Sequence, residues 1–294
     1  MRTLKLLSFL ILVAYTSIAQ TSDLKILAKL PPVLNETSGL VLTPKGTLWT
    51  VVDSRYSMLY NIDTTGEIKR TIRLNHKNQD WEEITQDADG NFYIGAFGNN
   101  KSMRKNLRIY KIPSPDAITD TIVTGQLIKF TYPDQKSFPP APAQQNFDME
   151  AMVCFQNSIY LFSKNRTNPY TGYTKMYKLP NTPGEYVAEL VDSVNLGPGT
   201  MIETWVTAAS LSPDNKILAL LSSDKIFLFY CFTGDRFFEG KKKVILLNNM
   251  SQKEGLCFIN NNEVFISDEL TYKILGGNLY HFKLPKDFAS ECRK

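Results

Sequence analysis

The stretch Asp148-Met149-Glu150-Ala151-Met152 recurs along the chain, each time at the start of a short apolar run. Close copies are Asp80-Trp81-Glu82-Glu83-Ile84 and Gln252-Lys253-Glu254-Gly255-Leu256, and looser ones are Glu36-Thr37-Ser38-Gly39-Leu40 and Thr207-Ala208-Ala209-Ser210-Leu211. After each copy come a turn and a second apolar run. Units that recur every 45 to 70 residues or so are typical of a propeller, in which neighbouring units must bury each other's faces.

Strand signals within each repeat predict four strands, which is the composition of one propeller blade. We therefore predict an all-β fold, a five-bladed β-propeller formed as a single domain by residues 20–294. The last unit lacks a fourth strand, and the segment 24–30 precedes the first unit without a partner. It can supply the missing strand and close the ring, which removes an exposed sheet edge. A six-bladed ring is the alternative, and it would need a further sheet within a long linker.

The N-terminus has the features of a secretory signal peptide: Arg2 and Lys5, an apolar run over residues 6–15, and then Ser17-Ile18-Ala19 as a cleavage site. We predict a signal peptide over residues 1–19 and a secreted or periplasmic protein. No later stretch is long and apolar enough to predict a membrane span.

The formal net charge is +4, and removal of Arg2 and Lys5 with a signal peptide would lower it by two. Such a small charge is not the pattern of a nucleic-acid-binding protein. The expected partners are a small-molecule or glycan ligand, with no nucleic acid, and we expect a monomer.

Four cysteines are present, and none has the Cys-x-x-Cys spacing of a zinc or redox site. Cys154 and Cys257 fall in first strands of different repeats, where small buried side chains are expected. An oxidising compartment would permit a disulfide between Cys231 and Cys292, and the sequence leaves that pairing open.

Unexpected polar residues occur where first strands begin and second strands end. In an antiparallel hairpin these two points lie at the same end, so the residues should gather at one end of the central channel, called here the mouth. We predict catalytic roles for Glu82, Glu150 and Glu254. The predicted metal ligands are Glu36, Glu82, Glu150, Glu254 and Asp268, and the predicted ligand-binding residues are Asp53, Trp81, Asn99, Lys164 and Glu269.

Crowded carboxylates repel each other, so the mouth requires raised pKa values, an embedded cation such as Lys164 or Arg55, or a bound metal. An all-oxygen ligand set suits Ca²⁺, which is the predicted cofactor. His76 and His281 fall in outer or linking positions, which disfavours a zinc site or a Ser-His-Asp triad. Alternatively, the polar side chains bond to the backbones of neighbouring blades and have a structural role.

These strand openings resemble those of secreted bacterial propellers of the SdiA-regulated and esterase-like phytase group, and more distantly the gluconolactonase and paraoxonase type. The matching positions are Glu36-Thr37-Ser38-Gly39-Leu40, Asp80-Trp81-Glu82-Glu83-Ile84, Asp148-Met149-Glu150-Ala151 and Glu254-Gly255-Leu256. The resemblance implies a propeller with a divalent cation in its mouth.

Three functions are consistent with this pattern. The first is a calcium-dependent hydrolase of esters, lactones or phosphoesters, in which one of Glu82, Glu150 and Glu254 is the general base. The second is a non-catalytic extracellular module that binds a ligand or protein at the mouth. The third is a glycosidase with two carboxylates across a cleft.

Overall fold

A computed structural model describes residues 24–285 and Cys292, so the predicted signal peptide lies outside the described residues. The strands, in chain order, are β1 (Lys25–Lys29), β2 (Thr37–Leu42), β3 (Leu48–Val52), β4 (Met58–Ile62), β5 (Ile68–Leu74), β6 (Glu83–Gln86), β7 (Phe92–Ala96), β8 (Arg108–Ile112), β9 (Ile122–Val123), β10 (Gln126–Thr131), β11 (Asp148–Phe155), β12 (Ser158–Lys164), β13 (Tyr173–Pro180), β14 (Gly184–Val187), β15 (Glu189–Asn195), β16 (Ala208–Leu211), β17 (Ile217–Leu221), β18 (Lys225–Tyr230), β19 (Lys241–Leu246), β20 (Lys253–Asn260), β21 (Glu263–Asp268), β22 (Leu270–Thr271), β23 (Leu275–Gly276) and β24 (Asn278–Lys283).

Helical segments are short. One α-helical turn, α1 (Met201–Thr204), precedes β16, and 3₁₀ turns cover Pro32–Leu34, Pro142–Gln144 and Phe237–Glu239. Within the described residues, no helix has the length and apolar character needed to cross a membrane.

Five antiparallel sheets form the five blades, in agreement with the predicted propeller. Blades 1 to 4 begin with β2, β6, β11 and β16, and each continues outward through three further strands. Blade 5 consists of β20, β21, β24 and β1, so the N-terminal strand closes the ring as predicted. The six-bladed alternative is therefore excluded.

Two outer strands were not predicted. β9 leaves blade 2 and pairs in parallel with β5 of blade 1, while β14 leaves blade 3 and pairs in parallel with β10 of blade 2. Short edge strands such as β9 and β14 carry little hydrophobic periodicity, so the sequence does not reveal them. Both additions tie the outer edge of one blade to the next blade along the chain.

Burial explains the hydrophobic pattern of the strands. The second strands β3, β7 and β17 are buried at every position, because another blade covers each face of the sheet. Outer strands such as β10 alternate between exposed and buried residues. The apolar core consists of five clusters, one between each pair of neighbouring blades, so every blade is stabilised by the ring.

The cysteines are now assigned. A disulfide joins Cys231 to Cys292, with the two Cα atoms 5.3 Å apart. Cys154 and Cys257 are free thiols, Cys257 is buried as expected, and Cys154 is half-buried.

The closing strand provides a test of the ring. Deletion of residues 24–30 would remove buried Ala28 and Leu30 and expose the edge of β24. We expect Tm to fall by about 5 °C or more, because each lost kcal/mol lowers Tm by roughly 2–4 °C in a domain of this size. Thermal melting monitored by circular dichroism measures this shift.

A peptide of residues 24–30 added to the deletion variant should restore much of the lost Tm. The control is Ile26→Ser in the same strand, where the side chain is 58% exposed, and it should change stability by no more than about 0.5 kcal/mol. An unchanged Tm after the deletion would contradict a ring closed by this strand.

Candidate functional site

Glutamates reach the mouth because the first strands start irregularly. The pairing register skips Glu150 in β11 and Glu254 in β20, as expected of β-bulges. In blade 2, Glu82 N donates to Gly95 O at 2.9 Å while Glu83 also pairs with Gly95. A bulge places two residues opposite one and turns a side chain out of the regular alternation. The repeated sequence motif is thus a repeated irregularity that carries carboxylates.

Lys164, the last residue of β12, lies between two of these carboxylates. Its Nζ is 3.1 Å from Glu150 Oε2 and 3.7 Å from Glu254 Oε1. All three side chains are less than a tenth exposed. Burial alone would lower the pKa of Lys164, but Glu150 and Glu254 outweigh it and the pKa lies above its usual value. Lys164 therefore remains protonated and holds blades 3 and 5 together at the mouth.

Arg166 extends this network. Its Nε donates to Asp148 and its Nη2 donates to Asn100 Oδ1, while Nη2 is also 3.7 Å from Glu150 Oε1. The other Asp148 oxygen accepts a hydrogen bond from Asn99 N at 2.6 Å. Asp148 has no exposed surface, so its charge depends on these donors.

Glu82 is the carboxyl group without a cation in contact. It is 7% exposed, and its side chain has no hydrogen-bond partner within residues 24–285. A Cβ on Gly98 would lie 2.0 Å from Glu82 Oε1 and 2.5 Å from Asp80 Oδ2, so the glycine provides the space for both carboxyls. Burial raises the pKa of Glu82 well above its usual value, and the charges of Glu150 and Asp80 add to the shift. Burial likewise raises the pKa of Glu150 well above its usual value, so Glu82 differs from Glu150 in having no cation in contact.

Glu83 has a different role, deeper in the channel. Its two oxygens accept hydrogen bonds from Ile84 N and from Ala209 N of blade 4, both at 3.0 Å. Gly39 of blade 1 has φ +71° and passes so close that a Cβ there would lie 2.4 Å from Glu83 Oε1. This carboxyl matches the structural alternative from the sequence, in which polar groups bond to the backbones of neighbouring blades.

A second acidic group lies at the rim, on blades 1 and 5. Burial, with Glu36 and Asp80, raises the pKa of Asp53 to about 7, and Asp53 Oδ1 is a buried atom without a partner. Burial, with Glu254 and Asp53, raises the pKa of Glu269 to about 10. Glu36 accepts a hydrogen bond from Ser54 Oγ and lies 3.9 Å from Arg55.

Trp205 forms the aromatic part of the mouth. Its ring lies 5.4 Å from Lys164 Nζ and 4.8 Å from Arg166 Cζ, and its Nε1 donates to Asn165 O. Trp81 has no exposed surface and packs near Tyr110 in the core between blades 1 and 2. Trp81 therefore does not line the mouth.

The structure brings most of the predicted site residues together. Glu82, Glu150, Glu254 and Lys164 form the centre, and Glu36, Asp53 and Glu269 form the rim. Two predicted site residues use the polar atoms of their side chains in hydrogen bonds to other parts of the protein. Asp268 accepts hydrogen bonds from Asn278 N at 2.7 Å and Tyr280 Oη at 2.6 Å. Asn99 Nδ2 donates to Phe147 O at 3.2 Å, and Asn99 Oδ1 accepts a hydrogen bond from Arg104 N at 2.9 Å.

Sequence reasoning missed Asp148, Arg166 and Asp80 as members of the site. Two of the missed residues had a visible signal. Asp148 opens the repeated motif, and Arg166 follows Lys164 by two residues, a spacing that returns a side chain to the same side of an extended chain.

The side chains of the mouth do not form a recognisable group of metal ligands. Within the part of the chain that the structure describes, no three Asp, Glu, His or Cys side chains lie together in a way that could hold a metal ion. Lys164 occupies the position between Glu150 and Glu254 where a cation would offset their charge. Calcium binding stays a prediction, and no step proposed below depends on it.

Comparison with known proteins supports the fold. No family model and no curated protein matches the chain. Glutaminyl cyclase from Myxococcus xanthus is similar in structure at 11% identity, over 89% of this chain and 96% of that one, with a TM-score of 0.55.

Two further similar structures have lower TM-scores. A catalytically inactive virginiamycin B lyase from Staphylococcus aureus with quinupristin is 13% identical over 87% of this chain and 69% of that one, with a TM-score of 0.42. The PQQ-bound aldose sugar dehydrogenase from Streptomyces coelicolor is 10% identical over 89% and 98%, with a TM-score of 0.48. The likeness to glutaminyl cyclase supports the β-propeller fold, while the SdiA-regulated and phytase-like type stays a prediction.

Replacement of the buried lysine tests the charge network. Lys164→Met leaves Glu150 and Glu254 buried without their cation, which should lower the free energy of unfolding by about 3–5 kcal/mol at pH 7. Urea unfolding measures it. The control is Lys178→Met, which breaks a 2.6 Å pair with Asp235 at two half-buried side chains and should cost no more than about 1 kcal/mol. Equal losses in both variants would contradict a buried network.

Stability should also depend on pH. A carboxyl whose pKa is raised by folding stabilises the protein fully below its unfolded pKa, and this contribution is lost as the pH rises through the folded pKa. For Asp53, the loss should begin near the usual pKa of about 4 and end near pH 7. The free energy of unfolding from urea titrations should therefore fall between pH 5 and pH 8.

Asp53→Asn and Glu82→Gln should each flatten this pH dependence, whereas Glu67→Gln at an exposed outer turn should preserve the wild-type slope. A wild-type stability that rises steadily from pH 5 to pH 8 would contradict the raised pKa values.

Proposed function

We propose that the mouth is the active site of a hydrolase that cleaves ester or lactone bonds, with Glu82 as the general acid–base residue. The observation that supports the proposal is the pair formed by Glu82 and Glu150. Glu150 contacts Lys164 and Arg166, whereas Glu82 has no cation in contact, and burial raises the pKa of both carboxyls. Two neighbouring carboxyls in unequal environments are the usual basis for one acid and one base at the same pH.

The reaction needs one water and returns the site to its starting state. Protonated Glu82 would donate its proton to the leaving alcohol oxygen as the bond from carbonyl carbon to that oxygen breaks. Water would attack the carbonyl carbon and give its proton to ionised Glu150, which lies beside Glu82. Transfer of that proton from Glu150 to Glu82 then completes the cycle, with an acid and an alcohol as products.

The charges at the mouth favour an uncharged substrate. Carboxyl groups outnumber cations there, and Lys164 and Arg166 already contact Glu150 and Asp148. A phosphoester would bring negative charge into this region without a free cation to bind it. The proposal therefore prefers carboxylic esters and lactones to phosphoesters.

The rim adds a preference for apolar groups. The loops at the mouth carry large apolar side chains, each with at least half of its surface exposed. These residues are Tyr56, Met103, Ile202, Met250, Tyr272, Ile274 and Leu275. Removal of apolar surface from water favours binding. An acyl or aryl group beside the reacting carbonyl would therefore bind against these exposed side chains.

Two parts of the proposal rest on sequence alone. The N-terminal segment supports export to the cell exterior or periplasm, and the resemblance to calcium-dependent propellers supports a cation at the mouth. Lys164 and Arg166 offer a second way to offset the same negative charge, so activity should persist in EDTA. Dependence on added Ca²⁺ would instead favour the metal-dependent hydrolase.

Assays of the mature protein with nitrophenyl acetate, nitrophenyl butyrate and aliphatic lactones test the proposal. Nitrophenyl phosphate and nitrophenyl glycosides serve as comparison substrates. Glu82→Gln should lower kcat/KM for esters by roughly 10²–10⁴, the usual contribution of a general acid or base. Activity should fall as the pH rises through the raised pKa of Glu82, because the acid form is then lost.

Glu67→Gln, on an outer turn, is the matched control and should keep wild-type kcat/KM. Absence of ester and lactone hydrolysis, or full activity in Glu82→Gln, would contradict the hydrolase. Ligand binding that Glu82→Gln weakens, in the absence of turnover, would support the non-catalytic alternative.

A further inference from the structure

A second cavity lies at the other end of the channel from the mouth. It has a volume of about 640 Å³ and is lined by the last residues of the five first strands and by the turns that follow them. The residues at matching strand ends are Leu42, Gln86, Phe155, Leu211 and Ile259. Four of them are apolar, and each is only partly buried. Pockets of a few hundred to a thousand Å³ are the size that small ligands occupy.

The lining of this cavity is almost uncharged. Among the residues that the structure describes, the lining includes no Lys, Arg, His or Glu, and Asp87 is its one carboxylate. The Asp87 oxygens accept hydrogen bonds from Asn91 N at 2.9 Å and Tyr93 Oη at 2.8 Å, so this charge is already stabilised. An ionised ligand would lose its hydration here without gaining a counter-charge. The cavity therefore suits an uncharged ligand.

Glu83 separates this cavity from the mouth. Its carboxyl bonds to backbone N–H groups of β6 and β16 across the channel, above the cavity lining. Ligands at the two ends would therefore occupy separate sites of opposite chemistry. The inference about the cavity does not depend on the function proposed for the mouth.

We propose that this cavity is a binding site for a small uncharged molecule with an apolar body. Leu42, Phe155, Leu211 and Ile259 would surround the apolar body. Cys154 also lines the cavity, and its half-buried free thiol reports whether the cavity is filled.

N-Phenyl-1-naphthylamine is a suitable probe, because it is uncharged and aromatic. Its fluorescence rises in apolar surroundings, and a titration of the mature protein should saturate at one probe per chain. Leu211→Asp should weaken binding at least tenfold, because it places a carboxylate among the apolar walls. Val187→Asp, at a position 69% exposed on an outer strand, is the matched control and should bind like wild type.

Bound probe should also slow the reaction of Cys154 with N-ethylmaleimide. If Leu211→Asp fails to fold, Phe155→Trp gives the same test by filling part of the cavity.

Saturable binding that Leu211→Asp or Phe155→Trp weakens, with protection of Cys154, would support the site. Fluorescence that does not saturate, or binding equal in Leu211→Asp and Val187→Asp, would overturn it. Glu82→Gln should bind the probe normally, so failure of the hydrolase does not affect this result.

Discussion

The ammonium group of Lys164 lies between the carboxylates of Glu150 and Glu254, with all three side chains less than a tenth exposed. Charges so far from water cost several kcal/mol each unless a partner compensates them. The rest of the mouth depends on this compensation. Asp148 is held in the same way by Arg166, so two cations serve the carboxylates of blades 3 and 5. Neither cation contacts Glu82, and a buried carboxyl without a cation is most stable when protonated.

The propeller explains how such a cluster can exist. Five first strands converge on one channel, and each begins at the mouth, so any side chain that leaves the regular alternation there meets its counterparts from other blades. Bulges at Glu150 and Glu254 supply that departure. The apolar clusters between blades hold the strands in place while the charged groups meet. The apolar clusters between the blades therefore stabilise the fold, while the strand starts at the mouth carry the charged groups of the candidate site.

Much of this architecture was predictable from the sequence. Repetition of the Asp148–Met152 motif indicated the number of blades, and the unpartnered segment before Glu36 indicated how the ring closes. The mouth was predictable as an acidic cluster, because strand starts of different blades must meet there. Lys164 was visible as a candidate cation for the same reason.

The pairing of individual groups was not predictable. Glu82 and Glu83 are adjacent in sequence, yet one is an unpaired carboxyl at the mouth and the other bonds to backbone across the channel. Trp81 follows the motif like a ligand-binding residue and is instead part of the core. Such differences depend on a bulge that shifts the register by one residue, and hydrophobic periodicity does not reveal it.

The most direct test is the protonation state of Glu82 itself. Carbon-13 NMR of protein labelled at the glutamate carboxyl carbon would follow each group with pH, and the Glu82→Gln spectrum would assign the signal. We predict that Glu82 titrates well above the usual value of about 4.3 for glutamate. Titration near that usual value would contradict the buried charge network and the acid–base role assigned to Glu82.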